Sequence, residues 1–448
     1  MRYKVGAMLT GKRYIWLLCC LKMKEKLVRF LKSLGPGILF ASTSIGVSHL
    51  VQSTRAGALY GFGLLWAVLA ANLFKYPFFE YGSRYANAAG ESLIDGYRKM
   101  GKWMLWLYFV ITLGSMFFVR AAIGAVTAGF MDNLFGLNNL FGDDSLVYST
   151  VGLFVFCIAV LLIGKYKALD HLVKIIGTVL VVSTVVAVLF SVARGPVSQP
   201  LPLFSKEVFD MNGAGFVFLI ALMGWMPNAI DLSSWHSLWT LERIKETGYK
   251  PRLKETLQEF NFGYLVSTLL APLFLLLGAY MLFGTDYLMP ESSAGFASAI
   301  IGLYTENIGA WSYLLIAASA FSIMFGTSIA VFDGYSRAMS RIVQLLGKPD
   351  EQTKSTDART YNVILVVLGA GALTLITFFG KSLKTLVDLA TSISFLIAPV
   401  IAFVNFKLVT SKSFPAEAHP GKGMRWLSYA GLVFLSVFAA VYLWMLLR

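Results

Sequence analysis

Charged side chains are scarce in this chain, at 14% of 448 residues against 57% hydrophobic. Soluble domains carry about 25% charged residues, so a soluble globular protein is excluded and a polytopic helical membrane protein is expected. Cysteine is scarcer still. Cys19, Cys20 and Cys157 build no disulfide framework, and no C-x-x-C spacing offers a metal site. There is no HExxH, nucleophile elbow or P-loop, which removes metal hydrolysis, acyl transfer and ATP-driven transport; an enzyme is not expected and no cofactor is implied. No filter loop or ring of pore charges points to a channel or to a receptor on such a scaffold. The net charge of +14 comes without a stripe of interleaved basic and aromatic residues, so nucleic acid is not a partner. The absence of N-x-S/T sequons and of cysteine patterning fits a bacterial inner membrane.

What is present is apolar sequence in spanning lengths of about 20 residues. Such stretches run near 36–57, 59–83, 104–131, 146–164, 170–193, 214–240, 260–283, 309–335, 360–379, 384–406 and 426–447. They define one transmembrane domain over 35–448, with spans one to five at about 36–193, six to ten at about 214–406 and an eleventh at 426–447. A basic segment over 1–34 precedes it. The run Tyr14–Leu18 is too short for a signal peptide, and translation from Met23 instead of Met1 is an alternative reading of the first residues. The N-terminal segment and the even-numbered loops hold thirty Lys and Arg, whereas the odd-numbered loops and the C-terminus hold five. Positive charge stays inside, so the N-terminus is expected in the cytoplasm and the C-terminus outside. The partners are then an inorganic ion and the lipid bilayer, with no oligomeric state prescribed.

Two spans are interrupted at matching places. Gly35-Pro36-Gly37 and then Thr43-Ser44-Ile45-Gly46-Val47-Ser48-His49 break the first, and Met226-Pro227-Asn228 breaks the sixth. Secondary transporters put their substrate site where such breaks meet, because freed backbone groups are tolerated in the membrane only around a buried cavity. The odd count of spans predicts five plus five helices in an inverted repeat with one appended. The breaks bring His49, Met226 and Met223 forward as soft ligands, with Asn228 beside them; the competing reading makes the methionines bundle packing and His49 a helix cap. Asp231 is a candidate coupling carboxylate, or a partner for Ser233, Ser234 or a facing helix. His236 belongs to an inner gate or relays protons.

Intramembrane charge demands a partner or a polar cavity. Arg55 reads as a snorkelling helix end. Lys75 and Glu80, with Pro77 between them as a kink, read equally as an ion pair or a coupling site. Arg120 either faces the cavity, where it would suit a small oxyanion such as bicarbonate, or pairs with Glu80 or Asp333. In the tenth span Thr391, Ser392 and Ser394 follow Asp388, offering hydroxyl ligands or plain helix packing.

Gly35-Pro36-Gly37-Ile38-Leu39, Ala56-Gly57-Ala58 and Tyr60-Gly61-Phe62-Gly63-Leu64-Leu65-Trp66 resemble the first two helices of Nramp-type divalent-metal transporters. Met226-Pro227 resembles that family's Met-Pro-His, and Gly326-Thr327 its Gly-Thr in helix eight. The resemblance covers helices one to ten and implies a LeuT-like fold that moves a divalent transition metal by alternating access, linked to protons. It also implies departures. The family's Asp-Pro-Gly-Asn falls on Gly46-Val47-Ser48-His49, so its metal-binding aspartate is missing, and its histidine after Met-Pro becomes Asn228. Its ligating backbone carbonyl falls on Met223. Glu80 stands where a glutamine is expected, Asp333 where helix eight can carry an acid, and helix ten brings Thr391 near the site. The expected site is therefore Gly46, Ser48, His49, Met223, Met226 and Asn228, with Met226 and His49 as metal ligands. Glu80, Arg120, Asp231, His236, Asp333 and Thr391 are candidates for coupling or gating. The alternative cargo is a small anion on the same scaffold.

Overall fold

The computed structural model describes residues 35–163, 166–198, 201–210, 213–285, 290, 292–347, 357–379 and 382–447. The basic segment 1–34, with Cys19, Cys20 and Met23, lies outside the described residues. Helices alone make up the regular structure among the described residues. In chain order they are α1 (Pro36–Ser44), a π-helical stretch Val47–Ser53, α2 (Thr54–Tyr60), α3 (Leu65–Ala89), α4 (Leu93–Met100), α5 (Lys102–Phe135), α6 (Ser145–Ile163) and α7 (Tyr166–Arg194). The second half holds α8 (Ala214–Trp225), α9 (Leu232–Thr247), α10 (Leu253–Met281), α11 (Ser293–Ile308), α12 (Tyr313–Gly347), α13 (Ala358–Phe379), α14 (Leu383–Val409) and α15 (Lys422–Leu446).

Seven segments among the described residues are long and apolar enough to cross a membrane: α5, α6, α10, Ala310–Gly347 containing α12, α13, Lys384–Val409 within α14, and α15. The first and sixth spans fall short because each is divided, and α3 because it carries Asn72, Lys75, Glu80 and Arg84. Divided first and sixth helices in each half of an all-helical bundle are the LeuT-like architecture that the sequence predicts.

The breaks differ in kind. Gly35-Pro36-Gly37 does not interrupt the first span; Pro36 occupies the first turn of α1, where a missing N–H costs nothing. The interruption is confined to Ile45 and Gly46, after which the chain resumes as a π-helix. In the sixth span, residues from Met226 to Asp231 are non-helical and the Met226–Pro227 peptide is cis. Helix packing is close where small residues allow it. A Cβ on Gly224 would meet the Thr391 carbonyl at 2.0 Å, and one on Gly263 the Gly37 carbonyl at 2.0 Å. These contacts draw α8 onto α14 and α1 onto α10, so both halves of both broken helices are gripped by continuous ones.

Besides the single turn Asn138–Phe141, two helices fall in segments read from sequence as loops. In α4, Ser92 and Asp95 form a reciprocal capping box, and Asp95 pairs with Arg341 of α12 at 2.5 Å. The other is α11, capped by Ser292.

Candidate functional site

The two breaks face each other. The Ser48 hydroxyl lies 3.2 Å from the Pro227 carbonyl, and the Asn228 amide donates to the Ser44 hydroxyl at 3.2 Å. Between them is a small cavity of about 20 Å³, room for a single water or ion. Thr43, Ser48, Asn228, Asp231, Thr327 and Tyr335 supply its polar wall, and Trp225 and Trp235 its aromatic wall. Asp231 is the one carboxylate on that wall among the described residues, and the Tyr335 hydroxyl bonds to it. Its position follows from the break, since Asp231 immediately precedes α9 and so lies where helix-terminal amides favour negative charge.

The expected soft ligand set does not converge here. The His49 Nε2 lies 2.9 Å from the Ser267 carbonyl, which can only accept, so Nε2 carries the hydrogen. The lone pair of a neutral ring then sits on Nδ1, which is 2.7 Å from the Ser48 hydroxyl. His49 therefore straps the first break to α10 and is not on the cavity wall. Met226 and Met223 are fully buried in the hydrophobic core, also off the wall. Among the described residues no three His, Cys, Asp or Glu side chains gather to hold a metal ion.

Position 46 is closed to side chains. A Cβ on Gly46 would lie 2.9 Å from the Thr327 Oγ1 and 3.0 Å from its Cγ2. The Thr327 hydroxyl donates to the Ser42 carbonyl at 2.7 Å, fixing the methyl and hydroxyl in the space a residue-46 carboxylate would need. The space beside position 46 is thus held by a side chain from the opposite half of the molecule.

The intramembrane charges take partners other than those expected. Glu80 does not pair with Lys75, because residues five apart point about 140° apart on a helix; it pairs with Arg84, one turn on, at 2.5 Å. Lys75 reaches instead into the second break, donating to the carbonyls of Met223 (2.6 Å), Gly224 (2.8 Å) and Asn228 (3.1 Å). Arg55 does not snorkel; its guanidinium binds Asp388 of α14 through both oxygens at 2.9 and 3.1 Å. Arg120 lies between the rings of Phe154 and Phe332, 4.0 and 3.9 Å from their centroids, and off the cavity wall. It makes no pair with Glu80 or with Asp333, which binds Arg337 at 2.7 Å along with Trp239 and Tyr361. His236 packs edge-on against Phe40 and Phe260. The Thr391 hydroxyl bonds back to Val387 and Asp388 of its own helix, and Ser394 accepts from Trp225.

Sequence reasoning missed the contributions to the wall of Thr327 and Tyr335, both on α12, and of Trp235, on the second half of the broken sixth span. It also missed Glu259, whose carboxylate accepts from the amides of Gly35 and Gly37 at 3.0 and 2.7 Å and caps the start of α1. The N-terminal amides of a helix that begins in the membrane needed such a partner, which was the available signal.

Paired breaks that face each other across a small cavity, within an all-helical bundle of LeuT-like architecture, are the arrangement of membrane transporters. The family described as "Natural resistance-associated macrophage protein-like" (Nramp) matches residues 37–445, and the chain belongs to the Nramp family. It is 34% identical over 415 residues, 92% of each chain, to the uncharacterized protein PM0681 of Pasteurella multocida. Over a shorter stretch of 85 residues, 18% of this chain and 19% of the relative, it is 28% identical to the divalent metal cation transporter MntH of Deinococcus radiodurans. Among solved structures, a manganese transporter of Eremococcus coleocola superposes with a TM-score of 0.67 at 13% identity, covering 92% of this chain and 85% of the other. MhsT, solved with L-phenylalanine, superposes with a TM-score of 0.59 at 11% identity, covering 91% and 98%.

Proposed function

We propose that this protein is a secondary-active transporter that carries a divalent metal cation by alternating access through the cavity between its two breaks. Membership of the Nramp family and the manganese and divalent-metal names of its relatives support a metal cargo. The single observation that carries the site assignment is the place of Asp231, the one carboxylate on the wall among the described residues. Around it stand the hydroxyls of Ser48, Thr43 and Thr327 and the Asn228 amide, an oxygen-rich set with no sulfur or imidazole. Such donors suit hard or borderline cations of the Mn²⁺ or Mg²⁺ type better than Cu(I) or other soft ions. The anion alternative rested on the Gly at position 46 and on Arg120, and Arg120 lies off this wall between two phenylalanines. The membrane is read as the bacterial inner membrane, with the basic end of the bundle in the cytoplasm.

The test is uptake into proteoliposomes. Wild-type protein should accumulate Mn²⁺ or Mg²⁺, Asp231→Asn should lower the rate at least about tenfold, a cost of 1.4 kcal/mol or more, and Met226→Ala should leave it within about threefold. Unimpaired uptake by Asp231→Asn, or collapse on Met226→Ala with Asp231→Asn intact, would reject the assignment.

A further inference from the structure

The C-terminal end of α8 stops inside the bundle, where its last carbonyls have no helical partners and carry the negative end of the helix dipole. Carbonyl oxygens converging in this way make a cation cage, comparable in chemistry to the unwound segments that coordinate ions in other broken-helix transporters. Here the cage consists of the carbonyls of Met223 and Gly224, at the last turn of α8, and of Asn228 within the break. All three are occupied by one group, the Lys75 Nζ of α3. An ammonium has three N–H donors and no acceptor, and three carbonyls that can only accept match it one for one; a neutral amine would leave one carbonyl facing a lone pair. Lys75 is fully buried. Asp231, three residues beyond the cage, is the carboxylate whose charge acts on it. A desolvated ammonium is retained only where its hydrogen bonds are supplied and opposite charge offsets its burial; the three carbonyls supply the first, and the negative end of the α8 dipole, with Asp231 on the same break, acts as the second without a direct ion pair.

We propose that Lys75 is a tethered cation that permanently fills the carbonyl cage at the end of α8, so that this part of the broken-helix site takes no inorganic ion. The consequence for specificity is direct. The backbone carbonyls of the second break are withheld from the cargo, which is left the side-chain oxygens around Asp231. The ammonium also ties α3 in one half of the molecule to the end of α8 and to the break that follows it in the other. A free monovalent ion in the cage would do this only at sufficient concentration, whereas the side chain does it at any ionic composition.

The experiment compares melting temperatures of the full-length protein in detergent, in choline chloride and then with choline replaced by sodium, potassium or methylammonium at equal ionic strength. Monovalent ions are used so that the result is independent of which divalent cargo is carried, and uptake is not read. Wild-type protein should melt at the same temperature in all four. Lys75→Ala should melt several degrees lower in choline and recover most of that loss in methylammonium, which restores a cation to the emptied cage. Lys75→Gln, which keeps two N–H donors without charge, should melt low in choline as well. The proposal is overturned if Lys75→Gln melts with the wild type, since neutral donors would then suffice, or if no monovalent cation raises Lys75→Ala. Should Lys75→Ala not be recovered folded, Lys75→Gln decides alone: melting with the wild type overturns the proposal, and a lower melting temperature supports it.

Discussion

At the scale of single residues, the site is shaped more by what fills space than by what binds. Gly46 stands where the family resemblance places a metal-binding aspartate, and Thr327 of α12 holds the volume that its side chain would take. Restoring the acid alone is therefore expected to fail. Gly46→Asp should destabilise the protein by about 1–3 kcal/mol, the usual cost of overpacking, while Gly46→Asp combined with Thr327→Ala should regain most of that stability. Unfolding in a graded detergent series checks both variants, and equal stability of Gly46→Asp and wild type would refute the steric account. His49 and Met226 carry the same lesson. Their element types suggest ligands, yet one has both ring nitrogens engaged and the other lies in the core.

At the scale of elements, the broken helices were legible and their partners were not. Met226-Pro227-Asn228 interrupts an apolar run with a residue that cannot continue a helix, and the helix does stop there. The run Thr43 to His49 gives only a small-residue cluster, and the chain uses just Ile45 and Gly46 as the break before continuing as a π-helix. Partner choice escapes such reading because it depends on helix rotation and on contacts more than a hundred residues away. Lys75 to Met223 and Arg55 to Asp388 are of this kind, whereas Glu80 with Arg84 and Asp333 with Arg337 follow from one-turn spacing. The Arg55–Asp388 pair joins the π-helical side of the first break to α14 with side-chain exposures of 7% and 20%. Arg55→Ala or Asp388→Ala should each cost somewhat less than the roughly 3–5 kcal/mol of a fully buried pair, because Asp388 keeps some contact with solvent. The double substitution should be milder than the sum of the two. A double-mutant cycle on unfolding free energy measures this coupling, and strict additivity would show that the pair contributes nothing.

At the scale of the whole molecule, composition and charge carried the class, and the family match over residues 37–445 agrees with it. Of the eleven spans, four lie outside the seven long apolar segments: the first and sixth, which are divided, α3, which carries Lys75, Glu80 and Arg84, and α7, whose apolar stretch among the described residues is the shorter Val181–Arg194. Orientation is the prediction that belongs here. Thirty cations in the N-terminal segment and even-numbered loops of the sequence, against five in the odd-numbered loops and at the C-terminus, should place the N-terminus in the cytoplasm and the C-terminus outside. A reporter active only outside the cell should therefore be active when fused after α15 and silent when inserted between α3 and α4; the reverse pattern would invert the topology. The contact between Gly46 and Thr327 also binds the fates of two distant positions together. Because they belong to opposite halves of the molecule, a side chain at position 46 has to be accommodated by a shift or a substitution in the other half as well.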